Sequence, residues 1–199
     1  MRGYVYAMHA SPRKGGNTDT LMGEVLEELG KAGMAVVEED VGRDPVNPCR
    51  GCNRCGATGE CVQKDRMQEI YPHLVAADAV ILAAPVFSMH VCAQAKAVID
   101  RCQRFWAVKY VLKRHLVEDE ERRGRRKGLF ISACGRDFPA TFDCVRPTVA
   151  YFFHVLEIGT WESLQFAGVD EMGAIRAVPG ALERAREMGR WLAEGVRAT

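Results

Sequence analysis

His9-Ala10-Ser11-Pro12-Arg13-Lys14-Gly15-Gly16-Asn17-Thr18 is the stretch that decides the fold. It separates two segments of different periodicity. Before it, Gly3–Met8 is a short run of aromatic, β-branched and apolar residues, which reads as a strand. After it, Leu21, Met22, Val25, Leu26 and Leu29 recur at helical spacing, with Glu24, Glu27 and Glu28 on the opposite face. A helix start offers unpaired backbone N–H groups and a partial positive charge. Gly15 and Gly16 let the backbone curl, Ser11 and Thr18 add hydroxyl donors, and Arg13 or Lys14 adds charge. The result is an anion cradle. It lacks the Gly-Lys-Ser/Thr ending of a P-loop and the Gly-x-Gly-x-x-Gly of a dinucleotide turn. On composition alone, the same residues also describe a plain capped helix with Asn17 as its N-cap.

Working outward, Gly30 and Gly33 end the first helix and Met34–Val37 is a second strand. Gly42–Cys61 has no periodicity and is rich in Pro, Gly, Cys and Asn, so it is a structured loop. Helices are expected over Arg66–Ala76, Val91–Phe105, Pro139–Leu156 and Ala181–Val196, the last with Leu182, Ala185, Met188 and Leu192 inward. Strands are expected over Asp78–Pro85, Gly128–Ala133 and Thr160–Phe166. This alternation predicts an α/β fold, a three-layer sandwich around a five-stranded doubly wound parallel sheet. The expected organisation is a single domain over 1–199, with a cysteine-rich loop at 48–62 and a charged insertion at 109–127. Ligands bind such sheets beyond the carboxyl ends of the strands. Three loops leave those ends: Met8–Asn17, Pro85–His90 and Ser132–Phe138.

The 199 residues suffice for one well-buried core. A net charge of +1 supplies no field to draw in nucleic acid or an anionic membrane. The apolar run Ala76–Val86 is too short to span a bilayer, and Met1–Met8 lacks the apolar region of a signal peptide. A cytoplasmic protein is expected. Lys109–Lys127 mixes Lys and Arg with Glu118-Asp119-Glu120-Glu121, as a solvated arm or helix pair would, or a docking face for an acidic redox partner. Base-stacking aromatics are sparse there.

Four of the eight cysteines lie close together: Cys49, Cys52, Cys55 and Cys61, spaced C-x2-C-x2-C-x5-C. Three cysteines at two-residue intervals let a short loop fold around one face of a cubane, and the fourth closes the site. This is [4Fe–4S] spacing, with a longer last gap than the ferredoxin run. Gly51, Gly56 and Gly59 permit the tight backbone, and Arg50, Arg54 and Lys64 offset thiolate charge. Zinc, which favours two separated C-x2-C pairs, and an empty or redox-active thiol loop are the alternatives.

Ser11–Thr18 closely resembles the phosphate loop of the NAD(P)H-dependent FMN reductase family. The same resemblance extends to Ala84-Pro85-Val86-Phe87-Ser88-Met89-His90 and to Ala93-Gln94-Ala95-Lys96-Ala97-Val98-Ile99-Asp100-Arg101. It implies a flavodoxin-like fold that binds FMN. The implied cofactor residues are Ser11, Arg13, Asn17 and Thr18 at the phosphate and Pro85, Val86, Phe87, Ser88 and Met89 at the ring. Cys134, Gly135 and Arg136 are implied at the pyrimidine edge. Phe87 stands where Tyr is common, and His90-Val91-Cys92 replaces small residues. His90 has a pKa suited to donating a proton beside the flavin, or is a solvent-facing side chain. Asp100-Arg101 reads as a structural ion pair.

With the cysteine loop, the chain resembles the iron–sulfur flavoproteins. These are homo-oligomeric electron carriers in which the cluster of one subunit lies near the FMN of another. The resemblance implies an FMN-dependent oxidoreductase, a dimer or tetramer, that passes electrons between FMN and a [4Fe–4S] cluster. NAD(P)H or a ferredoxin-type partner is the implied donor. An NAD(P)H-dependent FMN or quinone reductase without a cluster, and a zinc-containing sensor, are the competing readings.

Overall fold

The computed structural model describes residues 3–138 and 140–197. Five strands form one parallel sheet: β1 (Tyr4–His9), β2 (Ala35–Asp40), β3 (Ala79–Ala83), β6 (Lys127–Ala133) and β7 (Thr160–Phe166). Their order is β2-β1-β3-β6-β7, the flavodoxin-like arrangement, with the reversal of direction between β1 and β3. Side chains alternate along each strand and so supply two cores. Val5 and Ala7 of β1, Ile81 of β3 and Leu129 and Ile131 of β6 face the helices α1 (Asn17–Lys31) and α8 (Ala181–Arg197). Tyr6 and Met8, Val80 and Leu82, and Phe130 face the opposite layer, made of α3 (Met67–Ala76), α4 (Ala93–Arg101) and α7 (Arg146–Val155). Their near-continuous apolar sequence follows from burial on both faces.

The structure adjusts several expected elements. The Pro85–His90 loop contains a small antiparallel hairpin, β4 (Val86–Phe87) and β5 (His90–Val91). The helix after Val91 does not stop at Phe105. It runs through α5 (Gln103–Trp106) into a π-helical turn over Ala107–Val111, which takes up the start of the charged segment. The rest of that segment is not a free arm. Arg122 donates to Asp78 at 3.0 Å, and the fully buried Arg126 donates to the carbonyls of Leu74 (2.5 Å), Ala77 (3.0 Å) and Leu156. These are the orphan carbonyls at the ends of α3 and α7, so the guanidinium acts as their cap. The helix expected over Pro139–Leu156 begins only at Arg146. Pro147 sits in its first turn, where a missing N–H costs nothing, and the preceding residues form turns. Pro139 itself lies outside the described residues.

No helix among the described residues is long and apolar enough to cross a membrane.

Candidate functional site

The loops after β1, β3, β6 and β7 meet at the carboxyl edge of the sheet. Between them lies a cavity of about 190 Å³, lined by Ser11, Arg13, Gly16, Asn17, Thr18, Pro85, Val86, Phe87, Ala133, Cys134, Gly135, Val169, Asp170 and Met172. A second cavity of about 600 Å³ shares Val86, Cys134, Gly135 and Asp170 with it, and adds Ser88, Met89, Arg136, Phe138 and Thr141. Every residue that the family resemblance implicates in cofactor binding therefore borders this joined space. His90 does not line it. Its Nε2 lies 3.0 Å from Thr148 Oγ1 on α7.

The loop after β1 is shaped by its own hydrogen bonds. The Arg13 N–H donates to Ser11 Oγ at 3.2 Å, and the Gly15 N–H, at a left-handed backbone position, donates to Asp19 at 2.8 Å. Gly42 lies so close that a Cβ there would stand 2.1 Å from the Ser11 carbonyl oxygen, so only glycine fits. The N-cap of α1 is Gly16, not Asn17. Asn17 is the first helical residue, and its buried amide is fully committed elsewhere. It donates to the carbonyls of Val169 and Glu171, each at 3.0 Å, and accepts from the Ile175 N–H at 3.2 Å. Asn17 thus fastens the start of α1 to the loop after β7, and Arg13 adds a hydrogen bond to the Asp170 carbonyl at 3.3 Å. The N–H groups of the first turn of α1 are left without intrahelical acceptors.

Sequence reasoning missed this fourth loop and its Val169, Asp170 and Met172. Gly168 and Gly173, both at positive φ, punctuate it beyond the last strand, and the carboxyl-edge rule pointed there.

His9 sits between two carboxylates, with Nδ1 3.1 Å from Asp19 and Nε2 3.1 Å from Glu38. Burial works against its charged form, but the two carboxylates prevail and raise its pKa. Ser88 and Met89 both adopt positive φ in the two-residue turn of the β4–β5 hairpin, a turn that normally selects Asn-Gly. The thiols of Cys134 and Cys92 are buried, which pushes both pKa values up. Cys134 donates to the Arg136 carbonyl at 2.9 Å and Cys92 to the Ala10 carbonyl at 3.1 Å. Both are structural donors in their protonated form.

Cys49, Cys52, Cys55 and Cys61 line a separate small cavity together with Arg101 and Arg104. Its wall includes the single-turn helix α2 (Cys55–Thr58), with Asn53 and Gly51 at positive φ just before it. All four thiols are free, and among the described residues no three His, Cys, Asp or Glu side chains converge to metal-ligand separations. Burial alone would raise the Cys61 thiol, but the Gln63 N–H and the Arg101 guanidinium pull it below its ordinary range. Cys55 is pushed up by burial and by the neighbouring cysteines. Arg101 does not pair with Asp100 as its position suggests. Asp100 pairs with Lys96 at 2.7 Å on the exposed face of α4, while Arg101 turns inward to Asp65, also at 2.7 Å.

Residues 4–140 match the model of a known family, described as NADPH-dependent FMN reductase. The chain belongs to the NADPH-dependent FMN reductase family. Among curated relatives it is similar to an iron-sulfur flavoprotein of Archaeoglobus fulgidus, 44% identical over 91 residues, 46% of this chain and 41% of the relative. An iron-sulfur flavoprotein of Methanosarcina thermophila is 37% identical over 97 residues, 49% of this chain and 51% of the relative. The chain thus spans about half the length of these relatives or less. Among solved structures it resembles an NAD(P)H:quinone oxidoreductase from Methanothermobacter marburgensis (TM-score 0.69, 17% identity, covering 96% of each chain). It also resembles an FMN-dependent NADH-azoreductase from Bacillus anthracis in complex with FMN (TM-score 0.69, 14% identity, 96% of this chain and 100% of that one). At such identities these likenesses bear on the flavodoxin-like fold of this FMN reductase family member.

Proposed function

We propose that this chain is an FMN-dependent oxidoreductase that passes electrons between FMN and a [4Fe–4S] cluster held by Cys49, Cys52, Cys55 and Cys61. One observation carries the reading: four cysteines at cluster spacing border one cavity in a chain whose strand ends carry an FMN reductase phosphate loop. The names of the curated relatives support it.

The donor set fits each group. Ser11, Arg13, Thr18 and the first N–H groups of α1, that of Asn17 included, suit a phosphate, and the Asn17 side-chain amide holds that loop in place. Pro85, Val86, Phe87, Ser88 and Met89 supply a largely apolar wall for the ring, and Cys134, Gly135 and Arg136 border the same space from the loop after β6. Four thiols beside a buried guanidinium suit an anionic iron–sulfur group. When bound, the flavin supplies one- or two-electron chemistry and the cluster one-electron chemistry, while the protein positions them and tunes their potentials. NAD(P)H or a ferredoxin-type partner serves as donor.

Phe87, Met89, Phe138 and Met172 stand exposed around the flavin cavity, and Val62 stands exposed beside the cysteines. Among the described residues the flavin and cysteine cavities share no lining residue. Both features suit a homo-oligomer in which a second copy covers these rims.

The test is an absorbance spectrum of anaerobically purified protein with flavin, iron and sulfide analysis. Flavin with one [4Fe–4S] equivalent per chain is expected. Flavin without iron would replace this reading with a cluster-free NAD(P)H-dependent FMN or quinone reductase. A colourless zinc protein would overturn it entirely.

A further inference from the structure

The four cysteines sit in a long irregular loop, and an irregular loop does not hold side chains in place unless something closes it. Here the closure is specific. Asn47 stands just before the loop and Asp65 just after it. The Asn47 N–H and side-chain amide donate to Asp65 Oδ2 at 3.3 and 3.2 Å. Arg101, reaching in from the end of α4, donates Nη1 to the Asn47 carbonyl at 2.9 Å and to Asp65 Oδ2 at 2.7 Å, and Nη2 to Asp65 Oδ1 at 2.9 Å. A two-pronged guanidinium–carboxylate pair of this kind is among the strongest and most directional side-chain contacts.

This clasp engages both Nη nitrogens and leaves Nε aside. Arg101 is 2% exposed, yet its Nε–H has no acceptor among the described residues. An unsatisfied buried donor on a charged group is costly to leave unpaired. Arg101 also borders the cysteine cavity, where it faces the Cys61 thiol. Both Nη nitrogens are engaged at the loop ends, so Nε is the nitrogen left to address what the cysteines hold.

We propose that Arg101 is the positioning residue of the cysteine cavity: it clasps the two ends of the loop and turns its unpaired Nε–H and its charge toward the Cys61 side of the bound cluster. The inference rests on the cluster reading above and deepens it. A buried positive charge favours the more negative, reduced form of a thiolate-ligated cluster, and a donor to a ligand sulfur acts in the same direction. Asp65 holds the cation in place and partly offsets it.

The experiment uses three variants, purified anaerobically: Arg101→Met, Arg101→Lys and Asp65→Asn. Iron and sulfide content, the rate of iron release to a chelator, and the cluster potential from EPR-monitored redox titration are measured. Arg101→Met should make the cluster harder to reduce. At fixed ambient potential its reduced-to-oxidised ratio should fall about tenfold, equivalent to ~59 mV for one electron. Asp65→Asn leaves the cation uncompensated and should shift the ratio the opposite way. Arg101→Lys keeps the charge but loses the fork, so it should release iron about tenfold faster with a smaller shift in potential. A purely structural role predicts faster release in all three with no opposed potential shifts, and that result would overturn the proposal. Wild-type release and potential in the variants would do so too. Should Arg101→Met not fold, the Asp65→Asn and Arg101→Lys pair still decides the sign. Iron missing from the wild-type protein would instead defeat the cluster reading, and this inference with it.

Discussion

The carboxyl edge of the sheet and the cysteine loop are built in opposite ways. The first is made by topology. Four parallel strands end at one level, their loops meet, and the space between them exists because the sheet exists. The second is a detour between β2 and α3 with one turn of helix in it, held by side chains from elsewhere in the chain: Arg101 at its ends and Arg104 on the Gly59 carbonyl at 2.9 Å. A site made by topology fails where its loop backbones are stranded or crowded. A site made by side chains fails one guanidinium at a time, and its failure need not reach the sheet.

The largest separation of the two regions is expected from Asn17→Ala. It strands the Val169 and Glu171 carbonyls and the Ile175 N–H in a buried place, at about 1–3 kcal/mol in total. Thermal unfolding should show that loss, and FMN affinity should fall at least about tenfold. Iron content should stay at the wild-type level, and parallel loss of iron would mean that the regions are coupled. Gly42→Ala tests crowding. With a Cβ 2.1 Å from the Ser11 carbonyl oxygen, the loop must move, at about 1–3 kcal/mol and with weaker FMN binding. Unchanged FMN affinity would show that the cradle is looser than its geometry.

Arg104→Ala is the milder counterpart on the other side. It removes one hydrogen bond to Gly59, at about 1 kcal/mol, and should speed iron release while leaving FMN affinity unchanged. The smallest effect is in pH. His9 has a raised pKa, so its contribution to stability is complete below its unfolded value of 6.5 and is lost as pH rises through the folded value. Asp19 is lowered despite burial, chiefly by its hydrogen bond to His9. Its contribution is present above 3.8 and is lost as pH falls through the folded value. The pair therefore supports the loop best between about pH 4 and 6.5. Denaturant midpoints measured below, within and above that window should show this dependence in the wild type and a flatter profile in His9→Gln.

The same contrast explains what was legible in the sequence. The sheet was readable because its three central strands are buried apolar runs and its long helices carry a periodic face, both local signals. The phosphate loop and the cysteine spacing were readable for the same reason. The β4–β5 hairpin was not, because its strands are two residues long and its turn places Ser88 and Met89 where Gly would be the usual sign. The true partner of Arg101 was hidden by distance in the chain: Asp65 lies 36 residues away, while Asp100 stands next to it. On local grounds Asn17 suits either a cap, its commonest role at a helix start, or the phosphate contact that the family resemblance implies. Its actual partners are more than 150 residues on.

The proposed flavin and cluster sites are built independently of each other in one chain. Cys52→Ala tests this most directly. After anaerobic purification, flavin and iron are quantified per chain alongside the wild type. The account predicts that iron and sulfide are lost while FMN stays bound at wild-type stoichiometry. Simultaneous loss of FMN and iron would contradict it, and would mean that the cysteine loop also holds the flavin.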